Sequence, residues 1–445
     1  MRRPEDREIL RLAGPAFLAL VAEPLFLLAD AAVVGHLGTP ELAGLGIAAV
    51  VLQTVVGLCV FLAYGTTAGV ARQLGAGDRR GALAQGVDGL WLAVLIGAVA
   101  TVLGLLLAGP LVAVFGAAPE VTDHATTYLR IAVLGITPLL LMLAATGVLR
   151  GLQDTRTPLV VAVWGNVLNV VLNVLLVYGV GPVSGLGLPG SAIGSVVAQV
   201  ASAAALLIVV VRGARREGAS LRPHPAGVRS AARAGVPLVV RTLTLRAALL
   251  VTTYAVTLGA ARASGQSVDI ATHQLAMTLW TFLAFVLDAV AIAAQAITGR
   301  LLGAGDVAGT RAVTRRMVQW GVGSGVVTGV LLAAASPVLG RLFTGDPAVR
   351  EALVPVLLVA ALGQPVAGVV FVLDGVLIGA GDGGYLARGG LVTLVVYAPV
   401  ALAVAGAGLV AVWAAMVFVF MGARLAVLLH RARGDAWLVT GAALR

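Results

Sequence analysis

The amino-acid sequence predicts an all-α polytopic membrane protein, with twelve transmembrane helices arranged in two pseudo-symmetric six-helix lobes. Three observations lead to this prediction: an apolar composition, twelve spans long enough to cross a bilayer, and an internal repeat. Of the 445 residues, 60% are hydrophobic and only 11% are charged. Together with 57 glycines and 18 prolines, this composition is typical of polytopic helical membrane proteins rather than of soluble domains.

Twelve stretches are apolar over about 20 residues, the length that a helix needs to cross the hydrocarbon core of a bilayer. Their approximate limits are 9–35, 42–67, 85–108, 125–149, 158–180, 189–211, 232–260, 270–298, 317–339, 351–379, 386–406 and 408–430. Arginines cluster in alternate connections between these spans, whereas the opposite connections carry few. Because cytoplasmic connections carry the excess of basic residues, a multi-pass protein of the cell membrane with both termini in the cytoplasm is expected.

The second half of the sequence repeats the first at a spacing of 228 residues. ARQLGAGD at 71–78 recurs as GRLLGAGD at 299–306, and GVLRGLQD at 147–154 recurs as GVLIGAGD at 375–382. Two further blocks keep the same spacing. A unit of six helices has therefore been duplicated. Since six is even, both copies have the same orientation in the membrane, and a pseudo-two-fold axis along the membrane normal relates them.

The duplication divides the chain into an N-terminal lobe, residues 1–211, and a C-terminal lobe, residues 234–445. Residues 212–233, RGARREGASLRPHPAGVRSAAR, join the two lobes. Their basic and turn-forming composition predicts an exposed cytoplasmic linker. Within each lobe, the aspartate of the GAGD turn, Asp78 or Asp306, is expected to cap the helix that follows.

The charges and the single cysteine exclude several classes of protein. The net charge is +10, but all 30 basic residues are arginines, and the positive-inside bias explains their distribution without nucleic acid. The absence of lysine excludes a Walker A loop and Schiff-base chemistry, so uphill transport would need an ion gradient or a separate ATPase. Cys59 alone cannot form an intrachain disulfide. No hydrolase or metal-site pattern stands out, so neither an enzyme nor a bound cofactor is expected.

The first span carries two carboxyl groups, Glu23 and Asp30, seven residues apart. Seven residues make nearly two helical turns, so both groups point to about one side of the helix. A charged carboxylate in mid-membrane costs about 2.5 to 3.5 kcal/mol on insertion scales. This helix is therefore expected to face protein or a watery cavity, and Asp30 is predicted to bind the coupling cation of a secondary transporter.

The fifth span carries a polar stripe that could accompany this carboxyl. Its members are Trp164, Asn166, Asn169, Asn173 and Tyr178. Asn169 and Asn173 lie one turn apart and share a face of the helix. Their amides could ligate Na⁺ or hydrogen-bond a protonated carboxyl, and equally they could only join neighbouring helices.

Three more acids and two arginines lie within the spans. Asp88, near the start of the third span, is expected to be solvated or paired with an arginine. Asp288 and Asp374 lie deeper, where a carboxyl is either functional or braces helices. Arg241 is expected to extend to the cytoplasmic interface. Arg246 lies deeper and needs a partner, for which Asp288 or an anionic substrate would serve.

The chain resembles one known family in four features taken together. They are the two lobes, the sequence EPLFLLADAAVVGHLGTPELAGLGIA around the first span, the GAGD turns, and VLRGLQDTRTP after the fourth span. This family is the MATE (multidrug and toxic compound extrusion) family, with the DinF-like subgroup as the most similar part. The resemblance covers nearly the whole chain. It implies a monomeric antiporter in the lipid bilayer that exports organic cations or other drugs against H⁺ or Na⁺. Export would occur by alternating access through a V-shaped cleft between the lobes.

The resemblance also implies roles for particular residues. Asp30 matches the acidic residue of the family's first helix, Asn169 and Asn173 match the polar pair beside it, and Ser195 matches a hydroxyl in the sixth helix. Asp374 matches an aspartate of the tenth helix that some Na⁺-coupled members use. Their paired glutamate in the seventh helix has no counterpart here, because arginines occupy that helix. This difference favours coupling through the N-terminal lobe, and H⁺ over Na⁺.

Three alternatives remain open at the level of sequence. A flippase-like exporter of a lipid-linked or amphipathic precursor would use a strongly cationic cavity, for which only Arg246 is a central candidate. A membrane-embedded transferase or hydrolase would need a cluster of acids or histidines at one membrane face. A passive channel would conduct without sensitivity to a proton gradient.

Overall fold

The structure is a computed structural model that describes residues 4–180, 183–261 and 266–442. The side chain of Glu23, the second acid of the first span, lies outside the described part. The α-helices are α1 (Pro4–Gly35), α2 (Thr39–Cys59), α3 (Phe61–Gly75), α4 (Arg79–Ala113), α5 (Pro119–Ala132), α6 (Ile136–Gly151), α7 (Arg156–Tyr178), α8 (Leu188–Arg216), α9 (Pro225–Ala260), α10 (Gln266–Gly303), α11 (Val307–Phe343), α12 (Pro347–Gly379), α13 (Gly383–Ala403), α14 (Leu409–Ala414) and α15 (Met421–Arg433).

Within the described ranges, these helices provide twelve segments that are long and apolar enough to cross a membrane, which confirms the predicted number. Three of the segments are built from successive helices. In the second, α2 is followed directly by α3, and in the fourth a single 3₁₀ turn connects α5 to α6. In the twelfth, a π-helix, Ala415–Phe420, connects α14 to α15. The chain is therefore a multi-pass membrane protein.

The only strands in the part of the chain that the structure describes form a small hairpin between α7 and α8. Gly179 pairs with Ser184, and Val180 pairs with Val183, in antiparallel register. Two-residue strands are too short to give a hydropathy pattern, so the sequence does not predict them.

The described helices form two compact units. One unit is Leu18–Gly235, here called the N-terminal unit. The other is Met1–Phe17 together with Val236–Arg445, here called the C-terminal unit. The predicted lobes place residues 1–17 in the first lobe, whereas their contacts group them with the second. The physical reason is a set of ion pairs: Arg316 binds the buried Asp6 through two hydrogen bonds of 2.7 and 2.8 Å, and Arg300 binds Glu8 at 2.6 Å.

The 228-residue repeat is visible in the turns of both units. In the N-terminal unit, Asp78 accepts a hydrogen bond of 2.7 Å from the backbone N–H of Gly81, and it begins α4. In the C-terminal unit, Asp306 accepts one of 2.7 Å from Gly309 and begins α11. The glycine before each aspartate has a positive φ, +80° and +76°, which a side chain would disfavour. The predicted capping by both aspartates is confirmed.

The repeat also fixes one helix crossing in each unit. A Cβ on Gly147 of α6 would lie 2.5 Å from the carbonyl oxygen of Ala63 on α3. A Cβ on Gly375 of α12 would lie 2.3 Å from the carbonyl oxygen of Ala291 on α10. These pairs are related by the repeat spacing. In both units, therefore, a glycine allows the two backbones to approach closely.

The predicted linker is shorter in the structure than residues 212–233. Helix α8 continues to Arg216, and α9 already begins at Pro225, a residue type that suits the first position of a helix. Asp88 holds the start of α9, since its Oδ1 accepts a hydrogen bond of 2.9 Å from the backbone N–H of His224. The expectation that Asp88 is solvated or paired with an arginine is thus wrong, because an N–H ahead of a helix supplies its partner.

Candidate functional site

The candidate site lies within the N-terminal unit, where α1, α7 and α8 bring four polar side chains together. Asp30 belongs to α1, Asn169 and Asn173 to α7, and Ser195 to α8. All four are buried, and Asp30 is only 4% exposed. Sequence reasoning named each of these residues, and the structure places them in one hydrogen-bonded group.

The carboxylate of Asp30 is at the centre of this group. Its Oδ1 accepts a short hydrogen bond from Nδ2 of Asn173, and its Oδ2 accepts one of 3.2 Å from the hydroxyl of Ser195. The Asn169 amide donates to the Ser195 hydroxyl at 3.0 Å and accepts from Asn173 at 3.4 Å. Within the described residues, the hydrogen bonds that Asp30 accepts therefore come from uncharged side chains, and no arginine compensates its charge.

One buried acceptor in this group has no hydrogen-bond partner among the described residues. It is Oδ1 of Asn173, the amide whose nitrogen donates to Asp30. A buried carbonyl oxygen without a partner costs free energy that a bound cation or a donated proton would recover. Oxygen atoms of an amide, a hydroxyl and a carboxylate are also the ligand types that bind hard cations. The group can therefore accept a proton or a small cation.

The rest of the polar stripe on α7 attaches α1 to this helix above and below Asp30. The amide of Asn166 donates to the backbone carbonyl of Ala22 at 2.7 Å, and the hydroxyl of Tyr178 donates to that of Val33 at 2.6 Å. These bonds to backbone carbonyls fix the position of α1 whatever its side chains are. Trp164 does not belong to this contact, because it is 69% exposed.

A glycine on α8 allows the close approach that the site needs. A Cβ on Gly194 would lie 2.4 Å from Oδ1 of Asn173 and 3.3 Å from the backbone nitrogen of the same residue. Only a residue without a side chain can occupy this position while the amide keeps its place. Gly194 therefore lets α8 bring Ser195 to the carboxylate.

Sequence reasoning missed one residue of the site, Tyr128 of α5. It is buried, and it lies close enough to interact with the carboxylate of Asp30 and with the hydroxyls of Ser191 and Ser195. The available signal was the helical spacing of Ala125, Tyr128, Leu129 and Ala132, which share one face of α5 and are all buried. This spacing predicts that Tyr128 is buried but does not identify its partners.

The C-terminal unit contains a different acidic centre around Asp374 of α12. Arg241 of α9 binds both oxygens of this carboxylate, with a hydrogen bond of 3.1 Å from its Nε to Oδ1 and a shorter contact from Nη2 to Oδ2. Arg424 of α15 adds a contact of 3.4 Å to Oδ2. The three side chains are only 9 to 12% exposed. The expectation that Arg241 extends to the interface is wrong, because this buried carboxylate requires a counter-charge.

The other two candidates of the C-terminal unit are Arg246 and Asp288. Arg246 lies five residues after Arg241 on α9 and is exposed. Five residues rotate a helix by about 140°, so the two arginines cannot share a face. Asp288 of α10 is half-buried and interacts electrostatically with Arg424. The positions of the two arginines are therefore the reverse of those expected: the Arg241 side chain is buried and the Arg246 side chain is exposed.

A twelve-helix membrane protein with duplicated units and a buried polar centre on its first helix is a transporter by architecture. The MatE family model matches residues 15–175 and 246–403 of this chain. The chain is 32% identical over 435 residues to Protein DETOXIFICATION 44, chloroplastic, of Arabidopsis thaliana, covering 94% of this chain and 80% of the relative. It is 31% identical over 379 residues to DNA damage-inducible protein F of Escherichia coli, covering 84% and 81%.

Solved structures show the same fold. The chain superposes with a TM-score of 0.86 on a multidrug resistance MATE family transporter of the MOP superfamily in an outward-facing conformation. Sequence identity is 22%, and the match covers 98% of this chain and 97% of that one. The chain belongs to the MatE family, as its resemblance predicted, and it is a transporter rather than an enzyme.

Proposed function

We propose that this protein is a proton-coupled antiporter that exports organic cations, other drugs or toxic metabolites, and that Asp30 carries the coupling proton. The observation that supports this most directly is a buried carboxylate with uncharged partners. A charge of this kind, held away from water, needs a proton or a cation to neutralise it. Each exchange of the bound ion would then be linked to movement of one substrate across the membrane.

Protonation would change the hydrogen bonds of the site in a definite way. A charged Asp30 accepts from the Asn173 amide and the Ser195 hydroxyl. A protonated Asp30 becomes a donor at one oxygen, and rotation of the Asn173 amide would present its unpaired Oδ1 as the acceptor. A ligand can shift a conformational equilibrium only by its differential affinity for the two states, and this exchange of donors supplies such a difference.

The preference for H⁺ over Na⁺ rests on the charge of the site. Among the described side chains of the site, Asp30 is the single carboxylate, and residue 173 is an uncharged amide. Na⁺ would have to bind mostly through neutral oxygens, whereas a proton needs only the carboxylate and one acceptor. In the C-terminal unit, Asp374 already has two arginines as counter-charges. These contacts support coupling through Asp30 and not through Asp374.

The substrate class rests on the relatives. The names of the similar proteins refer to detoxification and multidrug resistance, and they concern those proteins. For this chain, we infer export of amphipathic organic compounds by a monomer, from the cell membrane, with both termini in the cytoplasm and without a bound cofactor. The distribution of arginines supports this orientation.

A flippase-like exporter of an amphipathic anionic precursor is the alternative. The observation that favours it is Arg246, an exposed arginine in the middle of α9. An exposed cationic side chain within a membrane span is a candidate for contact with an anionic substrate. Transport of an anionic amphiphile that depends on Arg246, without transport of organic cations, would support this alternative.

Reconstituted liposomes can test the coupling ion directly. The purified protein would be reconstituted, and movement of a fluorescent organic cation such as ethidium would be measured under an imposed pH gradient or an imposed Na⁺ gradient. We expect the pH gradient alone to drive transport, and its collapse with a protonophore to stop it. Transport driven by Na⁺ at equal pH on both sides would contradict proton coupling, and movement indifferent to both gradients would indicate a passive channel.

A further inference from the structure

The N-terminal unit contains a cavity that the transport site does not use. Its volume is about 380 Å³, and it lies where α4 begins and α6 and α8 end. Because these are the ends of membrane-crossing helices, the cavity lies at the level of the membrane interface. By the distribution of arginines, this is the side predicted to be cytoplasmic.

The walls of the cavity are divided into an apolar and a basic part. Leu83, Leu149 and Val209 belong to the helix segments within the membrane spans, whereas Arg212 and Arg216 lie in the last two turns of α8. Arg212 and Arg216 are one turn apart, so they share a face of α8. Both are exposed, and neither forms a hydrogen bond or ion pair within the described residues.

The acidic side chains at the rim do not neutralise these two arginines. Glu217 forms an ion pair with Arg79 at 3.0 Å, which cancels one charge with another. The carboxylate of Asp154 accepts hydrogen bonds from the backbone N–H groups of Arg156 and Thr157 at the start of α7, each of 3.0 Å. The cavity lining has three arginines against two carboxylates, so it keeps a net positive charge above an apolar floor.

The duplicated C-terminal unit shows what covers the equivalent place there. Arg311 is the repeat counterpart of Leu83, at the spacing of 228 residues. The segment after α15 supplies a carboxylate, that of Asp435, which forms an ion pair with Arg311. The same segment buries Trp437 to 2% exposure and binds the carbonyl of Leu302 through the N–H of Gly441 at 3.0 Å. An anionic group and an apolar ring from the chain itself thus occupy this end of the C-terminal unit.

We propose that the cavity of the N-terminal unit is a binding site for one anionic phospholipid. The phosphate would lie between Arg212 and Arg216, and the first carbons of an acyl chain would lie on the leucine and valine floor. The vertical order of the walls, with basic groups at the helix ends and apolar groups deeper, matches the order of charge and hydrocarbon in a phospholipid. Basic pockets between membrane helices bind anionic headgroups in this manner.

Native mass spectrometry of the full-length protein can test this site. The protein in detergent would be titrated with phosphatidylglycerol or with phosphatidylcholine of identical acyl chains, and the affinity of the first bound lipid would be measured. We expect phosphatidylglycerol to bind about tenfold more tightly, because the excess of positive charge in the lining attracts an anionic headgroup. Equal affinity for the two lipids would overturn the proposal.

Two variants and a matched control localise the binding. In R212Q/R216Q, the preference for phosphatidylglycerol should be lost. In R229Q/R233Q, which removes two exposed arginines with the same spacing from α9, the preference should remain. An equal loss in both double variants would indicate general electrostatic attraction and would contradict a specific site.

Two further measurements keep the site testable if the double variant folds poorly. Val209 lines the apolar part of the cavity, so the larger ring in Val209→Trp should fill it and exclude both lipids without any change of charge. Unchanged binding in this variant would contradict the proposal. Glycerol 3-phosphate, added in equal concentration, should not displace the lipid. Displacement would show that the cavity binds small soluble phosphates instead.

Discussion

Asp30 in the N-terminal unit and Asp374 in the C-terminal unit are both buried carboxylates on membrane helices, but they have opposite kinds of partner. Asp30 accepts hydrogen bonds from an amide and a hydroxyl, which are neutral. Asp374 binds two guanidinium groups, those of Arg241 and Arg424. Both acids are almost fully buried, so burial alone does not distinguish them.

The difference teaches how a duplicated fold can give its halves separate tasks. A buried carboxylate with arginine partners keeps its charge compensated by the protein, and it changes little when external ions change. A buried carboxylate with neutral partners must obtain its compensation from outside, as a proton or a cation. The first arrangement suits a fixed structural brace, and the second suits a site that exchanges ions during transport.

The largest effect is expected for removal of the carboxylate of the N-terminal unit. Asp30→Asn keeps the size of the side chain but removes the group that would bind the proton. Gradient-driven transport in liposomes should fall to the level of protein-free vesicles, while the protein still folds and inserts. Asp123→Asn, an exposed acid at the start of α5, is the matched control and should transport as the unchanged protein does. Normal transport by Asp30→Asn would remove this residue from the mechanism.

The second prediction concerns the brace of the C-terminal unit. Arg241→Gln leaves Asp374 with the more distant Arg424 as its cationic partner among the contacts described above, and breaking a buried ion pair costs about 3 to 5 kcal/mol. The melting temperature of the detergent-solubilised protein should therefore fall clearly. Arg233→Gln changes an exposed arginine on the same helix and should alter stability by less than about 0.5 kcal/mol. Equal effects of the two substitutions would contradict the assignment of Arg241 as the buried partner.

A third substitution would change the ion that the N-terminal site accepts. Asn173→Asp places a second carboxyl within hydrogen-bond distance of Asp30, and two neighbouring carboxylates favour a bound proton or cation between them. With equal pH on both sides, an imposed Na⁺ gradient should drive transport by this variant more strongly than by the unchanged protein. An identical response of both proteins to Na⁺ would show that the charge of residue 173 does not set the ion preference.

The smallest effect is expected for the hydroxyl of the site. Ser195→Ala removes one hydrogen bond of 3.2 Å to the carboxylate, which contributes about 1 kcal/mol, or about fivefold in an equilibrium constant. The transport rate at limiting proton gradient should decrease by a similar factor. Ser336→Ala is the control, since this buried serine bonds only to the carbonyl of Ala333 in its own helix among the bonds described. A loss as complete as that of Asp30→Asn would mean that Ser195 does more than orient the carboxylate.

The sequence by itself determined the helices, the duplication and the position of the capping turns. Hydropathy over twenty residues defines a membrane helix, and an aspartate after a glycine begins the next one, as at Asp78 and Asp306. These signals depend only on neighbouring residues, so they can be recognised without knowledge of how the helices pack. Asp30 could be identified as a candidate site residue for the same reason, because a carboxyl group within an apolar span stands out before its partners are known.

Only the tertiary structure decided which partners each polar side chain has. The sequence predicts that Arg246 is the deeper of the two arginines, yet Arg241 is buried on Asp374 and Arg246 is exposed. Tyr128 lies on the buried face of the amphipathic helix α5, and the sequence does not show that this face meets Asp30. The physical reason is that the rotation of a helix about its axis, and the contacts of residues more than a hundred positions apart, are set by the packing of whole helices. A single sequence does not encode that packing in any local pattern.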